Sequence, residues 1–235
     1  MKKLAVITGG TKGIGKALIE SFASEGFSIA TCSRNDEELA ALKKDIQAAH
    51  SDIDFFYQQA DMSDKVQVQS FARMVQQTQI AVAVLINNSG LFIPGQIHAE
   101  EEGAMESMME TNLYSAYHLT RALISPMMER KKGHIFNICS TASIIPYTNG
   151  GSYCISKFAM LGMSKVLREE MKSYNIRVTS VLPGATLTAS WAGTDLPEER
   201  FMKSEDVADA VMAAYKLSDR AVMEEILLRP QLGDL

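Results

Sequence analysis

The stretch that decides the fold is Leu4-Ala5-Val6-Ile7-Thr8-Gly9-Gly10-Thr11-Lys12-Gly13-Ile14-Gly15. A short apolar run with β-branched residues stops at glycines and passes straight into a segment of helical periodicity, so it reads as strand, tight turn and helix. Glycines let such a turn approach a pyrophosphate, whose charge is met by free N–H groups at the helix N-terminus. The spacing, G-x-x-x-G-x-G from Gly9, differs from the more familiar G-x-G-x-x-G. An ordinary strand-to-helix turn would carry similar glycines, so the reading needs support from the rest of the chain.

Outward from this loop, short apolar runs alternate with longer helical stretches to the end of the chain. The expected strands are Leu4–Thr8, Phe27–Cys32, Asp54–Ala60, Ala81–Asn87, Gly133–Ser140, Arg177–Leu182 and Val222–Leu228. Several are apolar on both faces, as parallel strands covered by helices on both sides must be. Helices are expected over Ile14–Glu25, Asp36–Ala49, Asp64–Thr78, Glu100–Arg130 (with an interruption), Ser152–Ser173 and Glu205–Leu217. Asn35 and Ser63 read as N-caps, and Lys131-Lys132-Gly133 closes a helix with basic charge and glycine. No repeat, low-complexity tract or proline-rich linker interrupts the alternation, which gives one doubly wound α/β domain over 1–235 with a seven-stranded parallel sheet. Gly184–Lys203 lacks periodicity, carries the sole tryptophan, Trp191, and reads as a mobile substrate loop.

Composition removes several classes of function. Hydrophobic residues make up 46% and charged residues 22% of the 235 residues, as in globular proteins and unlike disordered or fibrous chains. The net charge of −5 offers no footprint for a phosphate backbone, so nucleic acid is not an expected partner. The longest clean apolar stretch, Ile80 to Ile86, has seven residues, against the ~20 that span a bilayer. Met1-Lys2-Lys3 before Leu4 imitates a signal peptide, but the apolar run ends at Thr8-Gly9-Gly10, and a buried first strand explains it better. Cys32, Cys139 and Cys154 form no CxxC pair, which reads as a reduced, cytoplasmic protein. His50, His98, His118 and His134 are far apart in sequence, and no metal site is expected.

At the end of the second strand stands Cys32-Ser33-Arg34-Asn35, where an acidic residue would favour the free 2′-hydroxyl of NAD. Arg34 offers a permanent cation to a 2′-phosphate and Lys12 a second one, which favours NADP. Arg34 at a helix start opposes the helix dipole and needs compensation. Further on, Tyr153 and Lys157 lie four positions apart in a helical segment, one turn apart on one face. An ammonium beside a phenol favours the phenolate, drawing tyrosine from its reference pKa of ~10 towards acid–base chemistry. A YxxxK pair is common by chance, but this one follows Ser140 at an expected strand end, where open α/β sheets place their sites.

Four separated motifs in this order, Thr8–Gly15, Asn87-Asn88-Ser89-Gly90, Ser140 with Tyr153-x-x-x-Lys157, and Pro183-Gly184, cover nearly the whole chain. The sequence thereby resembles the short-chain dehydrogenase/reductase family, in its single-domain branch with a Rossmann fold. The resemblance implies hydride transfer between NADP(H) and a small-molecule carbonyl substrate. It makes Tyr153 the general acid, Lys157 its activator and a ligand of the nicotinamide ribose, Ser140 the group that polarises the carbonyl, and Asn112 the support of a proton relay behind the lysine. It assigns cofactor contacts to Gly9, Thr11, Lys12, Gly13, Ile14, Gly15, Ser33, Arg34, Asn35, Asp61, Met62, Asn88, Pro183, Gly184, Thr186 and Thr188, beside Tyr153 and Lys157. Asp61 matches the residue that meets adenine, Asn88 one beside the adenosine ribose, and Thr188 one that bonds the carboxamide. Ser89 stands where alanine is commoner, and Thr186 stands where the family has valine.

The ending Glu224 to Leu235 and the position of Trp191 resemble sepiapterin-reductase-like bacterial members, which implies a bulky, partly aromatic ketone or diketone, pterin-like in shape. The alternatives are a 3-oxoacyl thioester reductase, disfavoured by that ending, and an NADPH sensor without chemistry, disfavoured by the intact Asn112, Ser140, Tyr153 and Lys157. Leu91, Phe92, Ile145, Tyr147 and Trp191 are candidates to line an apolar pocket. Trp191 alternatively packs within its own loop. The methionines around Met105 and Met160 read as core packing. In related proteins the two long helices after strands four and five form a subunit interface, which implies a homodimer or homotetramer.

Overall fold

Along β1 (Lys3–Thr8) the side chains alternate between two apolar clusters, Ala5 and Ile7 entering one and Leu4 and Val6 the other. A strand with both faces buried needs cover on both sides, and the computed structural model, which describes residues 2–188, 191 and 193–234, supplies it. Beside β1 lie β2 (Ser28–Ser33), β3 (Phe55–Gln59), β4 (Ala81–Asn87), β5 (Gly133–Ile138), β6 (Ile176–Pro183) and β7 (Glu225–Leu228). They form one seven-stranded sheet in the order β3-β2-β1-β4-β5-β6-β7, and every neighbouring pair is parallel.

Helices α1 (Gly13–Ser24), α2 (Asp36–Ala49) and α7 (Ser204–Lys216) pack into the cluster that takes Ile7, Ile86 and Phe136. On the other face, α3 (Lys65–Gln77), α5 (Ser115–Arg130) and α6 (Gly151–Met171) pack over Val6, Leu85 and Ile135. The strand order reverses between β1 and β4, which opens a crevice at the carboxyl ends of the strands.

The expected long helix from Glu100 begins only at Ala104, because Gly103 adopts φ 88 before it and Glu100 is engaged elsewhere. It is interrupted as expected: α4 (Ala104–Met109) gives way to a π-helical turn, Glu110–Tyr114, before α5. Pro126 inside α5 removes the amide that would pair with the Ala122 carbonyl four residues back. Gln76 of α3 donates its Nε2 to that carbonyl at 2.9 Å.

Local hydrogen bonds account for the other departures from the sequence reading. Ser63 does not cap α3, since its N–H and hydroxyl both donate to Asp61; Asp64 caps instead, accepting from Val66 N at 2.7 Å. Lys131, with φ 48, ends α5, while Gly133 already begins β5 and leaves room for the Met127 methyl. β5 stops at Ile138 rather than Ser140, because the Ile138 carbonyl accepts from Lys157 Nζ and the Ser140 N–H is taken by Ser143 Oγ. β7 begins at Glu225 rather than Val222, the Met223 carbonyl being occupied by the Thr179 hydroxyl.

Within the expected loop 184–203, residues 189, 190 and 192 lie outside the described residues. Its start and end are tied together: Thr186 bridges Met202, and Leu187 and Met202 exchange backbone bonds with Met202 and Ala185. No helix among the described residues is long and apolar enough to cross a membrane.

Candidate active site

The carboxyl ends of β1, β4, β5 and β6 bring the four sequence motifs to one edge of the sheet. After β1, Gly13 has φ +52 and faces the Thr188 methyl, so a side chain there would be strained and crowded. Gly15 lies so close to the Gly9 carbonyl that a Cβ would overlap it. Lys12 occupies the N-cap of α1 without a side-chain cap, and no acidic residue stands in the first turn. Those amides therefore keep their capacity for an anion, which fits the diphosphate of a dinucleotide. The β4 turn braces the loop: Thr8 Oγ1 accepts from Asn88 N at 3.0 Å and Ser89 N at 2.9 Å, and Asn88 Nδ2 donates to the Thr8 carbonyl at 2.8 Å.

At the end of β2, Ser33 Oγ accepts from Asn35 N and Asn35 Oδ1 accepts from Glu38 N, both at 3.1 Å. Arg34 is exposed, with its carbonyl held by Gln59 Nε2 at 2.9 Å. Asp36, Glu37 and Glu38 in the first turn of α2 supply the compensation that a cation at this helix start requires. Lys12, read from the sequence as a second cation for a 2′-phosphate, has its Nζ 2.7 Å from Glu38 Oε1. The Lys12 hydrogen bond, with a weaker one from Thr11, holds the Glu38 carboxyl below the usual range. After β3, Asp61 accepts both Ser63 bonds, and Met62 packs with its sulfur 3.4 Å from Cys32 Sγ. Burial pushes the Cys32 thiol up to about 12.

Beyond β4 the π-helical turn aims Asn112, 1% exposed, into the interior. Its Oδ1 accepts from Leu91 N at 2.7 Å, and its Nδ2 donates to the Leu91 carbonyl at 2.9 Å and to Ser156 Oγ at 2.8 Å. Single π turns inside α-helices often mark functional sites, because they redirect one side chain without ending the helix. Lys157 is buried, and its Nζ donates to the Ile138 carbonyl at 3.0 Å and lies 5.8 Å from the centre of the Tyr153 ring. The backbone of Gly90 faces both Asn112 and Lys157.

Ser140 caps the 3-10 turn Thr141–Ser143, which packs against α6, and its Oγ accepts from Ala142 N at 3.1 Å. That bond leaves the hydroxyl proton free to be given to another oxygen. Phe92 meets the Tyr153 ring edge-on at 4.9 Å. Burial, then the nearby Tyr153, pushes the Tyr147 phenol above its ordinary range and keeps it neutral. Cys139, beside Ser140, is pushed up to about 11 by burial, and such a thiol is inert. After β6, Gly184 N–H donates to the Leu228 carbonyl at 2.8 Å, Pro183 ends the strand, and Thr186 Oγ1 donates to the Gly184 carbonyl at 3.0 Å. Trp191 packs on Phe201 at 5.0 Å between ring centres, within its own loop.

Three features escaped the sequence reading: the Lys12–Glu38 pair, Glu100 at the start of α6, and a buried polar ladder. In the ladder Asn87 Nδ2 donates to Asn137 Oδ1 at 2.8 Å, Asn137 Nδ2 to Ser164 Oγ at 2.9 Å, and Ser180 Oγ to Ser164 Oγ at 2.8 Å. Polar residues at strand positions otherwise apolar were the signal for the ladder. Glu100 gave no such signal, standing beside Glu101 and Glu102 in an acidic run.

A doubly wound parallel sheet, with an uncapped helix N-terminus behind a glycine loop and a buried lysine under a tyrosine, defines a dinucleotide-dependent oxidoreductase. Residues 3–198 match the family described as short chain dehydrogenase. The chain is 32% identical to the sepiapterin reductase of Chlorobaculum tepidum, over 100% of this chain and 99% of that one. An alcohol dehydrogenase from the archaeon Thermococcus sibiricus, complexed with 5-hydroxy-NADP, superposes with a TM-score of 0.91 at 25% identity, over 100% of this chain and 99% of that one. A metagenomic short-chain oxidoreductase in complex with NADP gives 0.85 at 29% identity, over 97% of each chain. The chain belongs to the short-chain dehydrogenase/reductase family.

Proposed function

We propose that this protein is an NADP(H)-dependent reductase that converts a bulky ketone or diketone, pterin-like in shape, to an alcohol. The observation that carries the reading is the buried Lys157 ammonium, fixed on the Ile138 carbonyl and 5.8 Å from the centre of the Tyr153 ring. The similarity to a sepiapterin reductase supports the substrate class, as do the aromatic rings of Phe92 and Tyr147 beside Tyr153.

When bound, NADPH supplies the hydride. Tyr153 gives its hydroxyl proton to the carbonyl oxygen as negative charge gathers there. Lys157 stabilises the oxygen that remains on the tyrosine, and Ser140 donates to the substrate oxygen. Asn112 anchors the Leu91 backbone and Ser156, and so the frame around Lys157. The α1 amides with Gly9, Thr11, Gly13, Ile14 and Gly15 take the diphosphate, and Arg34 with Lys12, Ser33 and Asn35 takes the 2′-phosphate. Asp61 and Met62 take the adenine, Asn88 the ribose, and Pro183, Gly184, Thr186 and Thr188 the nicotinamide end.

The protein works as one dinucleotide-binding domain with a substrate loop around 184–203, in the cytoplasm. The free thiols of Cys32, Cys139 and Cys154 support that location. It assembles as a homodimer or homotetramer through α5 and α6, which expose Tyr117, Ile155 and Phe158. The test is oxidation of NADPH, and separately of NADH, with a pterin or aromatic diketone, a simple aldehyde and an acetoacetyl thioester. Fastest turnover with NADPH and the bulky diketone supports the reading; fastest turnover with the thioester contradicts it.

A further inference from the structure

Residues 91–100 leave the end of β4 and return to the start of α6, pinned at three places. Asn112 holds Leu91 by both its N–H and its carbonyl. Gly95 bridges Gly150, its N–H donating to the Asn149 carbonyl at 3.0 Å, and Gln96 Nε2 donates to Asn149 Oδ1 at 3.1 Å. Glu100 closes the segment, its Oε1 accepting the Ser152 N–H at 2.7 Å and its Oε2 the Ser152 hydroxyl.

The seat of this carboxylate is built for it. A Cβ on Gly95 would lie 2.6 Å from Glu100 Cγ, and one on Gly151 would overlap Glu100 Oε1. Glu101 and Glu102, next in sequence, are exposed. Gly150, the N-cap of α6, has no side chain to satisfy the first turn. Glu100 provides that acceptor from another part of the chain, with negative charge at the positive end of the helix. Tyr153 is the residue after Ser152, and Phe92 of the same pinned segment stands edge-on against its ring.

We infer that Glu100 is a positioning residue, a latch that fixes the Tyr153 ring between Phe92 and the first turn of α6. The inference rests on the reductase reading for its catalytic consequence, though the latch itself is measurable without a substrate. Glu100→Ala is expected to lower kcat about ten-fold, the size of a small misplacement of a reacting group, with KM and the Kd for NADPH unchanged. Glu100→Gln, which keeps an acceptor for the Ser152 N–H, should recover part of that loss. Adding Ser152→Ala to Glu100→Ala should cost nothing more, since the hydroxyl has already lost its partner.

An unchanged kcat in Glu100→Ala would overturn the inference. So would a Kd for NADPH that worsens in step with kcat, which marks general loosening, or losses that multiply in the double variant. Amide exchange across residues 151–157 separates the two claims. Faster exchange in Glu100→Ala, in a protein that reduces no carbonyl, supports the latch and counts against the reductase reading. Unchanged exchange removes the latch whatever the activity.

Discussion

Asn112 donates from Nδ2 to the Ser156 hydroxyl at 2.8 Å, which joins the π-helical turn to the helix carrying Tyr153 and Lys157. Ser156 in turn donates to the Tyr153 carbonyl at 2.8 Å, so its oxygen can only accept from Asn112. The polarity of the amide is therefore fixed at every contact. Asn112→Asp, nearly identical in shape, sets an acceptor against both the Leu91 carbonyl and Ser156. It is expected to lower kcat about as far as Asn112→Ala, by ~10²-fold. Steady-state kinetics of the two variants checks this, and full activity in Asn112→Asp would contradict it.

The Lys12–Glu38 pair leaves the proposed 2′-phosphate position with less positive charge than Arg34 and Lys12 would give it alone. Glu38→Gln is expected to tighten NADPH by about two- to five-fold, the scale of an exposed charge interaction, with NADH unaffected. Arg34→Ala should weaken NADPH and spare NADH. Fluorescence titration of both cofactors measures these effects, and added salt should shrink them. Weaker NADPH binding in Glu38→Gln would mean that the carboxylate orients Lys12 rather than opposing the phosphate.

His134 lies buried against Phe136, and its Nε2 donates to Thr179 Oγ1 at 2.8 Å, because Thr179 spends its own proton on the Met223 carbonyl. Burial, then the Arg177 charge, pushes its pKa down to about 2. The unfolded chain binds a proton here below its ordinary pKa of ~6.5, while the folded chain stays neutral. The stability owed to the neutral ring is thus complete above that pH and drains away as pH falls towards the folded value. The expected slope is up to ~1.4 kcal/mol per pH unit. Denaturation of His134→Phe between pH 6.5 and 4.5 should show about one proton less of acid sensitivity than the unaltered protein; equal slopes would contradict this.

Asn137 sits midway along the buried ladder from Asn87 to Ser180. Asn137→Ala strands donors and acceptors that have no access to water, and is expected to cost about 1–3 kcal/mol. A denaturant midpoint that did not move would show the ladder to be dispensable.

How much of this was legible in the sequence follows from what each residue depends on. The strands and the helix over Asp36–Ala49 were readable because periodicity and the Asn35 cap are local. Element ends were less so, since β5 ends where Lys157, from a later helix, takes the Ile138 carbonyl. Ser63 could not be told from Asp64 as a cap without knowing that Asp61 had already claimed it. Among the proposed site residues, Tyr153 and Lys157 stood out by their helical spacing and Ser140 by its place at an expected strand end, whereas Asn112 was reached only through the family resemblance. Glu38 and Glu100 did not, because each looks like one more surface glutamate in an acidic run until a distant lysine or serine is brought against it.

The most direct measurement compares NADPH oxidation by Tyr153→Phe with that of the unaltered protein, on the best carbonyl of the panel, with NADPH binding measured on the same samples. Loss of the hydroxyl is expected to lower kcat by ~10²–10⁴-fold, the worth of a positioned proton donor, while NADPH still binds. Near-normal turnover by Tyr153→Phe would show that Tyr153 is not the acid and that the reaction is organised around other groups.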